Sequence, residues 1–97
     1  MMRLEIREEA ERDIFDAALW YEQERAGLGF RFEVEVGEIM RRVAENPLQF
    51  PVIERSVRRA QVGIFPYAVF FRVEEGVVTV LGVLHLHRHP NAWKRRG

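Results

Sequence analysis

Hydrophobic residues in the first half of the chain recur at the spacing of α-helices. Residues 8–25 carry one apolar stripe, and the acidic residues at the start of this segment suit the positive end of a helix dipole. The members of this stripe are Ala10, Ile14, Ala17, Ala18 and Tyr21. A glycine-rich step at residues 26–29 follows. The pattern predicts a first helix over residues 8–25.

The next segment carries two periodicities, of which only one extends over many residues. Residues 30–36 alternate between apolar and charged side chains, which alone would indicate a β-strand. Over a longer window a helical stripe persists through Leu28, Phe32, Val36, Ile39, Met40 and Val43. A strand of that length would be exceptional, so the sequence predicts a second helix over residues 28–45. The Asn46-Pro47 step ends it, because the residue before a proline is disfavoured in a helix.

Four further segments have the composition and alternation of β-strands. They are residues 3–6, 56–62, 66–73 and 77–86. The last of them begins as an almost continuous apolar run, which is typical of a central strand buried on both faces. Residues 74–76, Glu-Glu-Gly, provide a hairpin turn before it, and residues 48–55 are predicted to be an irregular link.

This order of elements predicts an α+β fold of the type β-α-α-β-β-β. A helical hairpin would pack on one face of a mostly antiparallel four-stranded sheet. The 97 residues suit a single domain, residues 1–97. There is no cysteine, and no apolar run approaches the roughly 20 residues of a membrane span. We therefore expect a cytoplasmic globular protein without disulfides or a membrane partner.

The net charge of zero conceals a division between the two halves of the chain. Residues 1–54 carry thirteen acidic and seven basic side chains, whereas residues 55–97 carry two acidic and eight basic ones. The second half could bind an acidic partner. Alternatively, the two halves simply attract each other within the fold.

A cluster of basic and titratable side chains follows the last predicted strand. It consists of His85, His87, Arg88 and His89 and is closed by Pro90. If the segment stayed extended, the three histidines would project from one face and could perform acid–base chemistry near neutral pH. His-x-His could also bind Zn²⁺, but no fourth ligand or supporting carboxylate is evident nearby. We therefore predict no metal and no cofactor.

Several short motifs, in this order, resemble the RelE/ParE superfamily of toxins from type II toxin–antitoxin modules. They are WYE at 20–22, GLGFRF at 27–32, NPLQFP at 46–51, RR at 58–59, FPYAVFFRV at 65–73 and H-x-H-R-x-P-x-x-W at 85–93. They look most like the ParE-like, or plasmid stabilisation, branch. The resemblance implies a small toxin neutralised by an antitoxin encoded beside it. It implies one of two targets: DNA gyrase for ParE-like members, or mRNA in the ribosomal A site for RelE-like members.

The residues favour a protein target over ribosomal RNA. RelE-like nucleases carry several lysines and arginines on the sheet, whereas the one lysine here is Lys94. Tyr67 stands where ribonucleolytic relatives tend to have a catalytic arginine. A net charge of zero also releases few counterions on binding RNA. A gyrase inhibitor without catalysis is therefore the leading hypothesis, beside a ribosome-dependent endoribonuclease and a degenerate member that has lost toxicity.

The candidate site residues depend on which hypothesis holds. A ribonuclease would use Arg72, His85, His87 and Arg88, with Arg58 or Arg59. Candidates for binding the target or the antitoxin are Arg58, Arg59, Tyr67, Arg72, His87 and Arg88. Adjacent strand residues face opposite sides, so at most one of Arg58 and Arg59 can face away from the helices, and we expect the other to pair with a glutamate of the helical half. Trp20, Tyr21 and Trp93 are expected to pack in the core.

Overall fold

The computed structural model describes residues 1–96 and places two helices on one face of a five-stranded sheet. The elements in chain order are β1 Arg3–Ile6, α1 Glu8–Glu24, α2 Leu28–Glu45, β2 Val52–Glu54, β3 Val57–Gln61, β4 Tyr67–Glu74 and β5 Val77–His85. Single-turn 3₁₀ helices lie at Pro47–Gln49 and Ala92–Arg95. The strand order is β1-β5-β4-β3-β2, and β1 pairs with β5 in parallel while the other pairs are antiparallel. The α+β prediction, both helices and all four predicted strands are confirmed.

The predicted strand count was one too low, because β2 lies in the segment interpreted as an irregular link. Strand β2 joins β3 through a two-residue turn in which Arg55 and Ser56 both have positive φ, 52° and 64°. Such turns are normally recognised in a sequence by Asn or Gly, which tolerate positive φ angles. Neither residue is present here. The hairpin therefore left no signal in the sequence.

The main core lies between the helical hairpin and the sheet, and four aromatic rings meet in it. Tyr21 of α1 and Phe32 of α2 lie with their centroids 5.4 Å apart, and Phe65 and Tyr67 approach both from the sheet side. Tyr21 is buried as expected. The side chain of Trp20 is 43% exposed, so the prediction that Trp20 packs in the core was wrong. Neither helix of the described residues is long and apolar enough to cross a lipid bilayer.

The tip of the hairpin is held by Glu22 and by a glycine at the closest approach of the helices. The Glu22 carboxylate accepts hydrogen bonds from the backbone N–H groups of Gly27 (2.8 Å) and Gly29 (3.0 Å). It thereby satisfies donors that the first turn of α2 would otherwise leave unpaired. These bonds lower the pKa of Glu22. At Gly29 a Cβ atom would fall on the carbonyl oxygen of Ala18, so the helices pack this closely only with glycine there.

A second, smaller core covers the face of the sheet that points away from the helices. Its buried members are Val57, Ala68, Phe70, Leu81, Leu84 and Trp93. The segment that follows β5 turns back over this face, and the Trp93 ring stacks on Phe70 with centroids 6.2 Å apart. The buried position of Trp93 agrees with its assignment to the core. Lys94 ties the same segment to β2 through an ion pair with Glu54 at 3.0 Å.

Strand β5 contains a β-bulge, and an ion pair between α1 and the segment after β5 forms hydrogen bonds with the backbone groups of this bulge. The register of β5 with β4 shifts between Val80 and Gly82, where β1 has already ended. Arg96 donates to the carbonyl of Leu81 at 3.1 Å, and Asp13 accepts from the N–H of Val83 at 3.0 Å. Arg96 and Asp13 also form a bidentate ion pair, with N···O distances of 2.5 and 3.1 Å. Gly82 leaves room for this pair, because a Cβ atom there would lie 2.7 Å from the Arg96 guanidinium.

The close approach at Gly29 can be tested by substitution with alanine. In Gly29→Ala the new Cβ also meets the Glu22 Cβ at 2.9 Å, so the helices must separate. We expect a loss of about 1–3 kcal/mol in the free energy of unfolding, measured by urea denaturation. Gly37→Ala is the matched control: it lies in α2 with no atom within 4 Å of the added Cβ. It should gain about 0.5–1 kcal/mol from helix propensity. Equal effects of the two substitutions would contradict the packing argument.

Candidate functional site

A pocket at the rim of the sheet gathers side chains from α1, β4 and the end of β5. Tyr67, the first residue of β4, pairs with His85, the last of β5, and their rings lie 5.1 Å apart. Trp20 of α1 forms a further wall, and the Arg88 guanidinium lies 5.4 Å from the centroid of the Trp20 ring. We call this cavity of about 290 Å³ the rim pocket. Asp13, Asp16 and His89 also line it.

The histidines of the rim do not alternate along an extended strand, so the condition for projecting all three from one face is not met. Strand β5 ends at His85, and the chain turns immediately. The Nδ1 atom of His85 accepts hydrogen bonds from the N–H groups of His87 (3.0 Å) and Arg88 (3.1 Å). The carbonyl of His85 accepts another from the N–H of His89 at 3.2 Å. His85 is therefore the residue around which this turn is built.

The electrostatics of the rim pocket favour the neutral form of His85. Burial lowers the pKa of His85, and the nearby cation Arg88 and the imidazoles of His87 and His89 lower it further. The two hydrogen bonds to Nδ1 act in the same direction, because they require an unprotonated nitrogen there. Burial also raises the pKa of Tyr67. The pocket therefore combines aromatic walls with the ionisable side chains of Arg88, Asp13 and Asp16.

The arginines proposed for the sheet do not join the rim pocket. Arg72 pairs with Thr79 and Tyr67 with His85, so Arg72 lies five positions along β4 from the rim, about 17 Å along a strand. Arg72 forms an ion pair with Glu74 at 2.9 Å. The candidate ribonuclease residues Arg72, His85, His87 and Arg88 thus do not converge on one point.

Arg58 and Arg59 face opposite sides of β3, as strand geometry requires. Arg59 alternates with the buried Val57 and therefore lies on the side of the second core, away from the helices. The Arg58 guanidinium donates to the carbonyl of Phe50 at 2.6 Å. The expectation that Arg58 pairs with a glutamate of the helical half was wrong, and its partner is instead the backbone before β2.

Asp13 is the residue of this region that the sequence interpretation missed. It lies in the rim pocket and in the ion pair with Arg96. A signal was available: Asp13 is three residues after Ala10 and four before Ala17, both buried members of the helical stripe. An acidic side chain on the buried side of a helix requires a partner. Within residues 1–96 no group of three or more His, Cys, Asp or Glu side chains could hold a metal ion.

Comparisons with known proteins agree with this architecture. A family model described as the ParE toxin of the type II toxin–antitoxin system, parDE, matches residues 4–90. A solved structure titled as a chromosomal ParDE TA system from P. aeruginosa has a similar fold, with a TM-score of 0.79 and 18% sequence identity. The alignment covers 88% of this chain and 96% of that one. A search of curated proteins gave no match.

The environment of His85 predicts how its imidazole titrates. Since the pKa of His85 is lowered in the folded protein, the unfolded chain binds the proton more readily. Neutral His85 therefore stabilises the fold above its ordinary pKa of 6.5, and this contribution is lost as the pH falls through that value towards the folded pKa. An NMR titration should place His85 below 6.5. Arg88→Gln should raise the pKa of His85, whereas Arg95→Gln, in the same segment but outside the pocket, should leave it unchanged. Titration of His85 at or above 6.5 would contradict the hydrogen-bond arrangement.

Proposed function

The chain belongs to the ParE family of toxins from type II toxin–antitoxin systems, and we propose that it inhibits DNA gyrase by binding it, without catalysis of its own. We propose further that a cognate antitoxin, encoded beside it, neutralises it. The observation that carries the first proposal is the dispersal of the candidate catalytic residues. The proposal of an antitoxin rests on the excess of basic side chains in the second half of the chain.

Cleavage of RNA requires several groups around one phosphate. One must activate the 2′-hydroxyl, another must stabilise the charge of the transition state, and a third must protonate the leaving oxygen. Here Arg72 lies about 17 Å along the strand from the His85 rim, estimated from five residues of extended chain. The Nδ1 atom of His85 is already engaged by two backbone N–H groups. This arrangement supports binding rather than nuclease chemistry.

The face of the sheet away from the helices also has few groups that could bind the phosphates of an RNA. Its centre is filled by the second core and covered by the segment that carries Trp93. Two of the cations on this side are engaged, Arg72 by Glu74 and Lys94 by Glu54, which leaves Arg59 exposed on the face. Each phosphate contact would need a cation that could displace a counterion. Apolar side chains at the centre of the face supply none.

The rim pocket has the character of a protein-binding site. Trp20 is partly exposed, and Arg88 lies over its ring, where the cation and the aromatic face attract each other. Tryptophan, tyrosine and arginine are the residues that most often dominate the energy of protein interfaces. Trp20, Tyr67 and Arg88 bring all three types together around one cavity. We propose that these side chains, with His87 beside them, contact gyrase.

The antitoxin is proposed to cover the basic half of the chain. Residues 55–97 carry eight basic against two acidic side chains, which suits an acidic polypeptide. Arg59 is exposed on the sheet face away from the helices, and Arg72 lies further along the neighbouring strand. Arg58 is a weaker candidate for binding the antitoxin, since its guanidinium already donates a hydrogen bond to the Phe50 carbonyl.

The proposed target can be tested with purified toxin. We expect it to inhibit gyrase supercoiling or to accumulate cleaved gyrase–DNA complexes, and to leave mRNA intact on programmed ribosomes. Arg88→Ala should weaken inhibition by about 30-fold or more, the usual effect of losing an arginine hot spot. Arg95→Ala, an exposed arginine of the same segment, is the matched control and should have no effect. Codon-specific A-site cleavage that disappears in His87→Ala or Arg88→Ala would overturn the gyrase proposal and identify the rim as an active site.

The antitoxin surface can be tested by charge reversal in the co-expressed complex. Arg59→Glu and Arg72→Glu should each weaken the complex, because losing a desolvated interfacial ion pair typically costs about 2–5 kcal/mol. Arg58→Glu should also weaken it, although part of its effect would come from the lost bond to Phe50. The control is Arg12→Glu, an exposed arginine of α1 in the acidic half. Affinity that is unchanged by all three reversals and reduced by Arg12→Glu would place the antitoxin on the helices instead.

A further inference from the structure

Two consecutive N–H groups of the turn after β5 share one acceptor, the Nδ1 atom of His85. The donors are the N–H groups of His87 (3.0 Å) and Arg88 (3.1 Å). A ring nitrogen that accepts hydrogen bonds carries no proton, so the hydrogen of the neutral imidazole lies on Nε2. Nδ1 is then the ring nitrogen that must take up a second proton. Protonation of His85 therefore places a hydrogen where two N–H groups already point, and both hydrogen bonds are lost.

The part of the chain that these bonds hold is short and is fixed at both ends by other contacts. At one end the N–H of Leu86 donates to the carbonyl of Pro66 at 2.9 Å, just before β4. At the other end the Trp93 ring is buried and stacks on Phe70. Loss of the two bonds to Nδ1 would therefore loosen residues 87–92 while the sheet and the second core stay folded.

The side chain that this segment brings to the rim pocket is Arg88. Its guanidinium lies 5.4 Å from the centroid of the Trp20 ring, and both side chains line the pocket. The charge of Arg88 also lowers the pKa of His85, so the two groups repel each other when the imidazole is protonated. Protonation thus acts on Arg88 in two ways. It removes the hydrogen bond of the Arg88 backbone and places a second cation beside the Arg88 side chain.

The ionisable groups that face His85 come from three parts of the fold. They are Tyr67 on β4, Asp13 and Asp16 on α1, and His87, Arg88 and His89 in the segment after β5. Burial raises the pKa of Tyr67, which keeps its hydroxyl uncharged in acid. Asp13 is engaged by Arg96, so Asp16 is the carboxylate towards which a protonated His85 could turn.

The balance of these groups sets the direction of the pH dependence. Burial lowers the pKa of His85, and Arg88, His87 and His89 lower it further. The closed turn thus binds the proton more weakly than an open turn, in which the imidazole is exposed to water. Because the state that binds a proton more tightly gains population in acid, the turn is closed at neutral and alkaline pH and opens as the pH falls.

We propose that His85 is a pH-sensitive switch of the rim pocket: protonation of its Nδ1 atom releases residues 87–92 and moves Arg88 away from Trp20. In the open state the cluster of Trp20, Tyr67 and Arg88 is no longer assembled. Inhibition of gyrase would therefore weaken in acid. This last consequence rests on the proposed function, whereas the opening of the turn is a property of the chain alone.

Two amide substitutions separate the position of the acceptor from its charge. In His85→Asn the side-chain oxygen takes the place of Nδ1 and can accept both hydrogen bonds, but the amide does not titrate. In His85→Gln the amide oxygen lies one bond further from the backbone, so the two hydrogen bonds are lost at every pH. A third variant, His87→Asn/His89→Asn, keeps His85 and removes the two neighbouring imidazoles.

The indole N–H resonances of the two tryptophans, followed by NMR, report the opening of the turn. Trp20 senses Arg88, and Trp93, buried against Phe70, is the internal reference. Between about pH 8 and about pH 5.5 we expect the Trp20 resonance to move with the midpoint of the His85 imidazole, and the Trp93 resonance to stay in place. In His85→Asn the Trp20 resonance should keep its alkaline position throughout, and in His85→Gln it should resemble the acid form at every pH. The double variant should retain the transition.

Three results would overturn the switch. The first is a Trp20 transition that persists in His85→Asn or disappears in His87→Asn/His89→Asn, which would assign it to another imidazole. The second is titration of His85 with no change at Trp20. The third is a common transition of Trp20 and Trp93, which would indicate acid unfolding of the whole domain instead of the opening of one turn.

Inhibition of gyrase supercoiling tests the consequence separately. The native protein and His85→Asn are compared at the same pH, so that the pH dependence of gyrase itself cancels. We expect equal inhibition at about pH 8 and at least about threefold weaker inhibition by the native protein at about pH 6. An equal ratio at both pH values would overturn the role of the switch in inhibition. If neither protein inhibits gyrase at either pH, the proposed function is contradicted, while the Trp20 resonance still decides on the switch.

Discussion

The ion pair between Asp13 and Arg96 is the interaction on which the rest of the structure depends. Strand β1 covers β5 only as far as Val80, and beyond that point this edge of β5 is open. The bulge turns two backbone groups out of the ladder, and Asp13 and Arg96 satisfy them. Both side chains are largely shielded from water, with 15% and 19% exposed, so each needs the other. Removing one partner would leave the other part-buried charge, and the backbone group it binds, without a partner.

The same pair also connects the rim pocket and the second core to the sheet. It anchors α1, which carries Trp20 into the rim pocket. It also anchors the segment after β5, which carries Arg88 over the Trp20 ring and Trp93 onto the second core. The backbone of this segment is fixed further by Arg7, whose guanidinium donates to the Arg96 carbonyl. Functional side chains on loops and helix ends are thus held by contacts with the strand they surround.

The sequence predicted those features that repeat over many residues and missed those that depend on a single contact. The long stripes of α1 and α2 and the apolar run of β5 are repeated signals, so the elements and their order followed from them. Strand β2 was missed because the positive φ angles of its turn fall on Arg55 and Ser56. The sequence left an extended histidine segment open, but one ring nitrogen of His85 accepts hydrogen bonds from two backbone N–H groups where the chain turns. Asp13 was overlooked because its partner lies 83 residues away in the sequence.

The parallel pairing of β1 with β5 has a consequence for the newly made chain. Arg3 pairs with Val77, so the first strand must wait for more than seventy further residues before its partner leaves the ribosome. Until then the helical hairpin, whose contacts are local, can form, but its apolar stripe has no sheet to cover it. The growing polypeptide would therefore expose its main core surface until β5 has been synthesised, a state prone to aggregation and open to chaperones. In this fold the sheet is complete only when β5 pairs with both of its neighbours, β1 and β4.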